Sequence, residues 1–376
     1  MSLSRIAGFR TDLPCISVVV ACWNVEKYIS KCIESILAQT YPKLEILLVD
    51  DCSTDSTASI LRSYALKDSR IRVILRDRNG GLSECRNSGI ENATGDLISF
   101  VDGDDALEPN TYQEIISRYD DSIDVYWFGA NVIYESNNEL KSSDDKYYKI
   151  RYSGIRKIKR EELLDFDCSV WNKVFRKDFF GEKFKFKGRY YEDALFFMKF
   201  FALERKICFI PKKLYLYYRR PSSIMANTFL KKEGLAINHI FILDDIYDFW
   251  SKNGFLAESR IAFQRIVLSF FWFAYKHSQP FERARVVAEM VSRLRSWNIG
   301  CEANPVLEYI RSGMFTISFG PQLEVTGSIP TVTMPPLKGW QKIFSVRNEN
   351  GHHIVRLFTK KIASRRLKNV RNGSKW

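Results

Sequence analysis

An α/β fold is predicted: a Rossmann-like, mostly parallel sheet with helices on both faces, followed by a helical C-terminal region. Three observations predict it. Short β-branched runs alternate with helical periodicity through the first 130 residues. Each run ends in a polar or acidic cluster, at Trp23-Asn24, Asp50-Asp51 and Asp102-Gly-Asp-Asp105. From Lys231 to about Trp297 the apolar spacing is helical throughout.

The elements follow in order. Ile16–Ala21 reads as a buried strand. A helix opens at Asn24, with Tyr28, Ile29, Cys32, Ile33, Ile36 and Leu37 at helical spacing, and Thr40-Tyr-Pro42 ends it. Leu44–Val49 is the second strand. Ser53 and Thr54 are expected to cap a helix from Asp55 to about Tyr64. Arg72–Leu75 is a third strand, and a helix runs from Leu82 to about Asn92 after the Gly80-Gly81 turn. Leu97–Val101 is a fourth strand, followed by a helix near Pro109–Tyr119 and an apolar run Val125–Phe128. Glu135–Lys149 has no period and reads as a flexible excursion. Val170–Phe175, Ile207–Ile210 and Leu214–Tyr218 supply further strands, and Pro305–Pro336 is expected to be extended or loop. The division expected is a first domain over residues 1–230, with one half near 14–130 and another near 150–230. A mainly helical region then covers 231–376.

Composition narrows the function classes. The eight cysteines form no CxxC pair and no Cys/His cluster, so neither a zinc site nor a disulfide framework is expected. A reducing, cytoplasmic setting follows. No stretch reads as a signal peptide, and none has about 18 uncharged apolar residues. Net charge is +13, with eight basic and no acidic residues from Arg356 to Trp376. Within the tail 354–376, Ile354, Leu357, Phe358, Ile362 and Leu367 fall roughly on one helical face. Such a helix would lie on an anionic membrane surface, at the inner face of the plasma membrane. A solvated tail is the competing reading; nucleic acid is not expected. The sequence says nothing of oligomeric state.

Four stretches carry candidate chemistry. Asp102-Gly103-Asp104-Asp105 projects carboxylates from a strand end, where ligands of such sheets bind. Hard divalent cations take oxygen ligands there, together with substrate phosphates. Asp50 and Asp51 end the second strand, where a carboxylate can accept the imide N–H of uracil. Gly80-Gly-Leu-Ser-Glu-Cys-Arg86-Asn87 permits close backbone approach, and Arg86 is a candidate for nucleotide phosphates. Glu192 and Asp193 open an apolar helix, where a carboxylate can act as general base.

Together these motifs resemble glycosyltransferase family 2, with the GT-A fold, and in particular its bacterial capsule, lipopolysaccharide and exopolysaccharide members. The resemblance runs from Cys15 to Ile224. It rests on Ser17-Val-Val-Val-Ala-Cys-Trp-Asn24, Ser35–Pro42, Val49–Asp55, Arg86-Asn87-Ser-Gly89, Gly95–Asp105, Val170–Phe175 and Glu192-Asp193 in that order. It implies an inverting transfer of a hexosyl or N-acetylhexosaminyl group from a UDP-sugar. The acceptor would be a glycan or lipid-linked oligosaccharide hydroxyl, in surface polysaccharide synthesis. Asp102 and Asp104 would hold Mn²⁺ or Mg²⁺, Asp193 beside Glu192 would be the base, and Asp51 would bind uracil. Trp23 would stack on that base, beside Asn24, Asp50 and Gly103. Ala21 stands where the family commonly has a hydroxyl. Cys52 stands where it has Gly, so a less strained turn is expected. Arg219 and Arg220, in a loop running on to Met225, would reach the diphosphate. Trp171-Asn172-Lys173 would face the acceptor, with core packing as the alternative for Trp171.

A dinucleotide-dependent dehydrogenase is disfavoured because Ala21-Cys-Trp-Asn24 lacks the glycine fingerprint. A non-catalytic glycan-assembly scaffold and a sugar nucleotidyltransferase remain as alternatives.

Overall fold

The computed structural model describes residues 13–136, 139–143, 148–181, 184–220, 234–297 and 299, and beyond these only 307, 316–317, 325–326, 344–349 and 352–357. The strands and helices of the first part are β1 (Ile16–Cys22), α1 (Ile29–Leu37), β2 (Leu44–Asp50), α2 (Thr57–Ala65), β3 (Ile71–Leu75), α3 (Leu82–Asn92) and β4 (Leu97–Asp102). Then come β5 (Ala106–Leu107), α4 (Thr111–Ile116), β6 (Val125–Ser136), β7 (Glu139–Ser143) and β8 (Gly154–Lys157). Next are β9 (Lys173–Arg176), α5 (Glu192–Phe200) and β10 (Lys206–Arg219).

One sheet organises them, in the order β3-β2-β1-β4-β9-β6-β10-β5, with β7 on β6 and β8 on β10. β3, β2, β1 and β4 are mutually parallel, as strand–helix alternation requires. Their residues are nearly all apolar because the central strands are covered on both faces. The register places Asp50 opposite Cys22 and Asp102 opposite Ala21. The acidic clusters therefore end on one edge, on either side of β1.

The sheet is mixed. β9 enters antiparallel between β4 and β6, and β6 then pairs parallel with the long β10. The stretch read as a flexible excursion contains β7, which pairs antiparallel with the end of β6. The residues between and after these strands, 137–138 and 144–147, lie outside the described set.

Two compact units are present. The first comprises residues 1–227 and 245–254, and the second 228–244 and 255–376. The C-terminal region is helical, with α6 (Asn238–Lys252), α7 (Phe255–Glu258), α8 (Arg260–His277) and α9 (Arg283–Ser296). In the second unit Val286, Met290 and Leu294 of α9 are buried, and Arg293 pairs with Asp244 at 2.6 Å. Among the described residues, no helix is long and apolar enough to cross a membrane.

The expected interfacial helix is corrected at its start. Ile354 and Leu357 lie in a strand, His352–Leu357, paired antiparallel with Phe344–Glu349. The β-branched pair Ile354-Val355 favours the extended backbone. Phe358, Ile362 and Leu367 lie outside the described residues, as does most of 305–336.

Candidate active site at the carboxyl edge of the sheet

The edge is built from loops that fasten one another. After β1, Asn24 adopts a positive φ of 50°, which asparagine tolerates. Its side-chain Oδ1 accepts from the Thr54 amide at 2.8 Å, while its own amide donates to Ser53 Oγ at 3.0 Å. Glu26 donates its amide to Asp55 Oδ2 at 3.2 Å, and Val25 to Thr57 Oγ1 at 2.9 Å. Ser53 and Thr54, expected as caps, therefore stitch the β1 loop to the β2 loop, and α2 starts later, at Thr57. Trp23 leaves this stitched loop 54% exposed, a free aromatic face at the edge.

Asp50 and Asp51 have different tasks. Buried Asp50 accepts the Ser53 amide at 3.1 Å and so holds the turn. Cys52 inside that turn takes φ 61°. The relaxed turn expected there is corrected: the loop bonds impose a left-handed backbone on a residue with a Cβ. Asp51 accepts from Arg76 Nε at 2.9 Å, from the Gly80 amide at 3.0 Å and from the Gly81 amide at 2.7 Å. Its carboxylate thereby orders the glycine turn before α3. Arg76 was not singled out in the sequence. Its signal is positional, because Asp50 of β2 pairs with Leu75 of β3, which sets the next residue of each strand side by side.

β4 delivers the acidic motif. The Gly103 amide donates to the Ala21 carbonyl at 3.0 Å. A Cβ on Gly103 would lie 2.9 Å from that oxygen, so only glycine allows this approach. Asp102 and Asp104 keep side chains 23% and 38% exposed. Asp104 pairs with Arg220, whose guanidinium also lies 3.7 Å from the centre of the Tyr28 ring. Burial, foremost, and the charge of Asp102 push the Asp104 carboxyl up to about 6, against the opposing pull of Arg220. Buried Asp105 accepts from Tyr215 Oη at 2.9 Å and from the Tyr218 amide at 2.8 Å, and so ties the motif to β10.

Glu192 and Asp193 open α5, whose preceding residue Tyr191 sits at φ 60°. Arg86 of α3 reaches both acidic motifs, with Nη1 2.6 Å from Glu192 Oε1 and Nη2 3.1 Å from Asp102 Oδ1. Burial, followed by the charge of Glu192, raises the proton affinity of Asp193; Arg86 opposes both. Arg86 is thus placed with carboxylates, whereas phosphate was its expected partner. Arg219 donates to Tyr134 Oη at 2.8 Å. Residues 221–225 of the expected covering loop lie outside the described set.

The acceptor segment is corrected. Trp171 is buried and stacked on Tyr215 at 4.4 Å and on Tyr217 at 5.2 Å. Asn172 and Lys173 are fully buried. Lys173 Nζ donates to Asp167, to the Ser169 carbonyl and to Asn172 Oδ1, and lies 3.6 Å from the Trp127 ring centre. Burial lowers its pKa to about 8 despite Asp167. These side chains build the core under the site and offer no surface to an acceptor.

Asp102 and Asp104 bring two carboxylates to this edge, each paired with an arginine. Among the described residues no three metal-binding side chains converge, so Asp102 and Asp104 supply at most two protein carboxylates. Two carboxylates, with phosphate and water oxygens completing the shell, are what Mg²⁺-type sites use.

Residues 17–184 match the family model described as glycosyl transferase family 2. The chain is 32% identical over 229 residues to the glycosyltransferase GlyG of Streptococcus pneumoniae, covering 57% of this chain and 74% of that protein. It is 31% identical over 225 residues to the uncharacterized glycosyltransferase EpsJ of Bacillus subtilis, covering 56% of this chain and 63% of the relative, under two thirds of its length. Among solved structures, S. aureus TarS 1–349 in complex with UDP-GlcNAc matches with a TM-score of 0.53 at 22% identity, covering 79% of this chain and 87% of the other. That likeness is one of fold, and the fold is GT-A. With the family model matched and a 32%-identical relative covered over 74% of its length, the chain belongs to glycosyltransferase family 2.

Proposed function

We propose that the chain transfers a hexosyl or N-acetylhexosaminyl group from a UDP-sugar to a hydroxyl of a glycan or lipid-linked oligosaccharide, with inversion, in bacterial surface polysaccharide synthesis. One observation carries the reading: a single buried guanidinium joins Asp102 of β4 to Glu192 of α5, so a strand-end acid motif and a helix-start acid motif share one site. UDP-GlcNAc in the similarly folded TarS supports the donor class.

Each group has a task in this reading. Trp23 stacks on uracil. Asp51 accepts the uracil imide, its carboxylate held in place by Arg76 Nε and the Gly80 and Gly81 amides. Asp102 and Asp104 hold Mn²⁺ or Mg²⁺, which, when bound, neutralises charge developing on the leaving diphosphate. Arg220 passes from Asp104 to the diphosphate oxygens, with Arg219 beside it. Asp193 takes the proton of the acceptor hydroxyl as its oxygen bonds to the anomeric carbon. The bond from that carbon to the UDP oxygen breaks on the opposite side. Burial suits Asp193 to this work, because a carboxylate with raised proton affinity is a stronger base. The basic tail 354–376 would hold the enzyme at the inner membrane surface, near a lipid-linked acceptor.

A screen of nucleotide sugars, with and without Mn²⁺ or Mg²⁺, tests this by thermal shift and UDP release. A UDP-sugar should stabilise the protein only with metal. Asp104→Asn should lose that dependence. Asp193→Asn should keep donor binding and lose turnover by about 10²- to 10⁴-fold, the usual worth of a general base. Undiminished turnover by Asp193→Asn, or stabilisation by a non-uridine donor alone, would overturn the reading.

A further inference from the structure

Arg86 has a role that phosphate binding does not describe. It is 3% exposed. Both terminal nitrogens donate to carboxylates, its Nε has no hydrogen-bond partner among the described residues, and the guanidinium lies 5.3 Å from the centre of the Phe186 ring. Its two terminal nitrogens are committed to carboxylates.

The rest of α3 is built to match. On one side Gly89 meets β1 so closely that a Cβ there would lie 2.2 Å from Val19 Cγ1. On the other, Asn87 exchanges two 2.9 Å hydrogen bonds with the Phe186 backbone, and Ser83 Oγ donates to the Gly188 carbonyl at 2.6 Å. The helix is seated on β1 and carries the segment that leads into α5.

We propose that Arg86 is a positioning residue, which ties the Asp102 strand end to the Glu192–Asp193 helix start and places a fixed positive charge at the proposed base. This rests on the function proposed above and adds to it what sets the base.

The electrostatic argument follows from the surroundings of Asp193. Glu192 acts on it from its own helix, Asp102 from β4, Arg86 from α3, Cys168 from the segment leading into β9 and Lys173 from the start of β9. Burial holds the Cys168 thiol in its neutral form. Lys173 is bonded to Asp167 and its neighbours. The charges of Glu192 and Asp102 raise the proton affinity of Asp193. An arginine, which stays protonated across the accessible pH range, offsets this permanently.

The test is a carboxyl titration, which needs no turnover. Protein labelled with ¹³C at the aspartate γ-carbon is titrated by NMR, and the Asp193 signal is identified by its loss in Asp193→Asn. Arg86→Gln should move the Asp193 midpoint up by about one pH unit or more. Arg86→Lys, which keeps the charge, should restore most of the shift. Asn87→Ala, which loosens the same segment and spares the guanidinium, should leave the midpoint within a few tenths of a unit. Coincident midpoints for the wild type and Arg86→Gln would overturn the inference. If Arg86→Gln does not fold, Glu192→Gln carries the test. Removing that neighbouring negative charge frees Arg86 for Asp193, so its midpoint must fall, and an unmoved or raised midpoint overturns the inference. An enzyme inactive on every UDP-sugar, with the Arg86 shift intact, would sink only the proposed function. An active enzyme with an unmoved midpoint would sink only the inference.

Discussion

Asp193 illustrates how a single side chain sets function against stability. Burial and the adjacent Glu192 raise its folded-state proton affinity above that of the unfolded chain. The sign of the consequence is fixed by linkage: between the two pKa values the folded state binds more protons, so stability falls as pH rises through that window. Below the window the protonated acid costs little; above it the full penalty of a confined charge applies. Replacing the acid with neutral Asn removes the penalty. Asp193→Asn is therefore expected to raise the melting temperature by a few degrees at pH 8 and by clearly less at pH 5, measured by calorimetry at both. A gain that is larger at pH 5 would mean that Arg86 more than offsets the burial of the charge. The same substitution that stabilises the fold should abolish transfer, which is the trade expected where a site is held under strain.

At the scale of elements, what the sequence discloses depends on how local the cause is. β1, β2 and β4 are largely apolar runs that stop at polar residues, acids in β2 and β4 and Trp23-Asn24 in β1, so both the strands and their shared edge are readable. The direction of β9 is not, because Val170–Phe175 is a short apolar stretch and period alone does not say which neighbour it pairs with or in which sense. Lys173 reads as exposed by residue type, yet Asp167, six residues upstream, and the Trp127 ring make its burial possible. Arg86 reads as a phosphate ligand because its partner Glu192 lies 106 residues away. The motifs are thus legible as residues at an edge, while the pairings that divide labour among them come from long-range packing. Trp171 makes the difference measurable. Stacked on Tyr215 and Tyr217 inside the core, it should behave as a packing residue. Trp171→Ala is expected to cost about 3–5 kcal/mol in urea unfolding. Under conditions where the variant stays folded, its acceptor KM should remain within about twofold of the wild type, since a side chain that does not touch the acceptor contributes nothing to its binding. A large rise in KM with unchanged stability would restore the sugar-platform role.

For the whole molecule the question is where the catalytic unit ends. The sequence places a boundary near residue 230, and we propose that the unit needs more chain than this. Residues 245–254 are counted with the first unit for identifiable reasons. Trp250 is fully buried and donates its indole N–H to the Met198 carbonyl at 3.0 Å. Phe249 lies against Phe184 with ring centres 6.1 Å apart, and Asp245 pairs with Lys187 at 2.7 Å. Met198 belongs to α5, the helix that presents Asp193, so this returning segment braces the element carrying the proposed base. A fragment ending at residue 230 lacks the brace; one ending at 254 keeps it. The exposed ion pair contributes little, so the difference should come from the tryptophan, whose loss from a core costs about 3–5 kcal/mol. The shorter fragment should therefore unfold at a markedly lower urea concentration than the longer one, and Trp250→Ala in the full chain should reproduce most of the gap. Equal midpoints for the two fragments would mean that α5 is held without the returning segment, and would return the boundary to where the sequence put it.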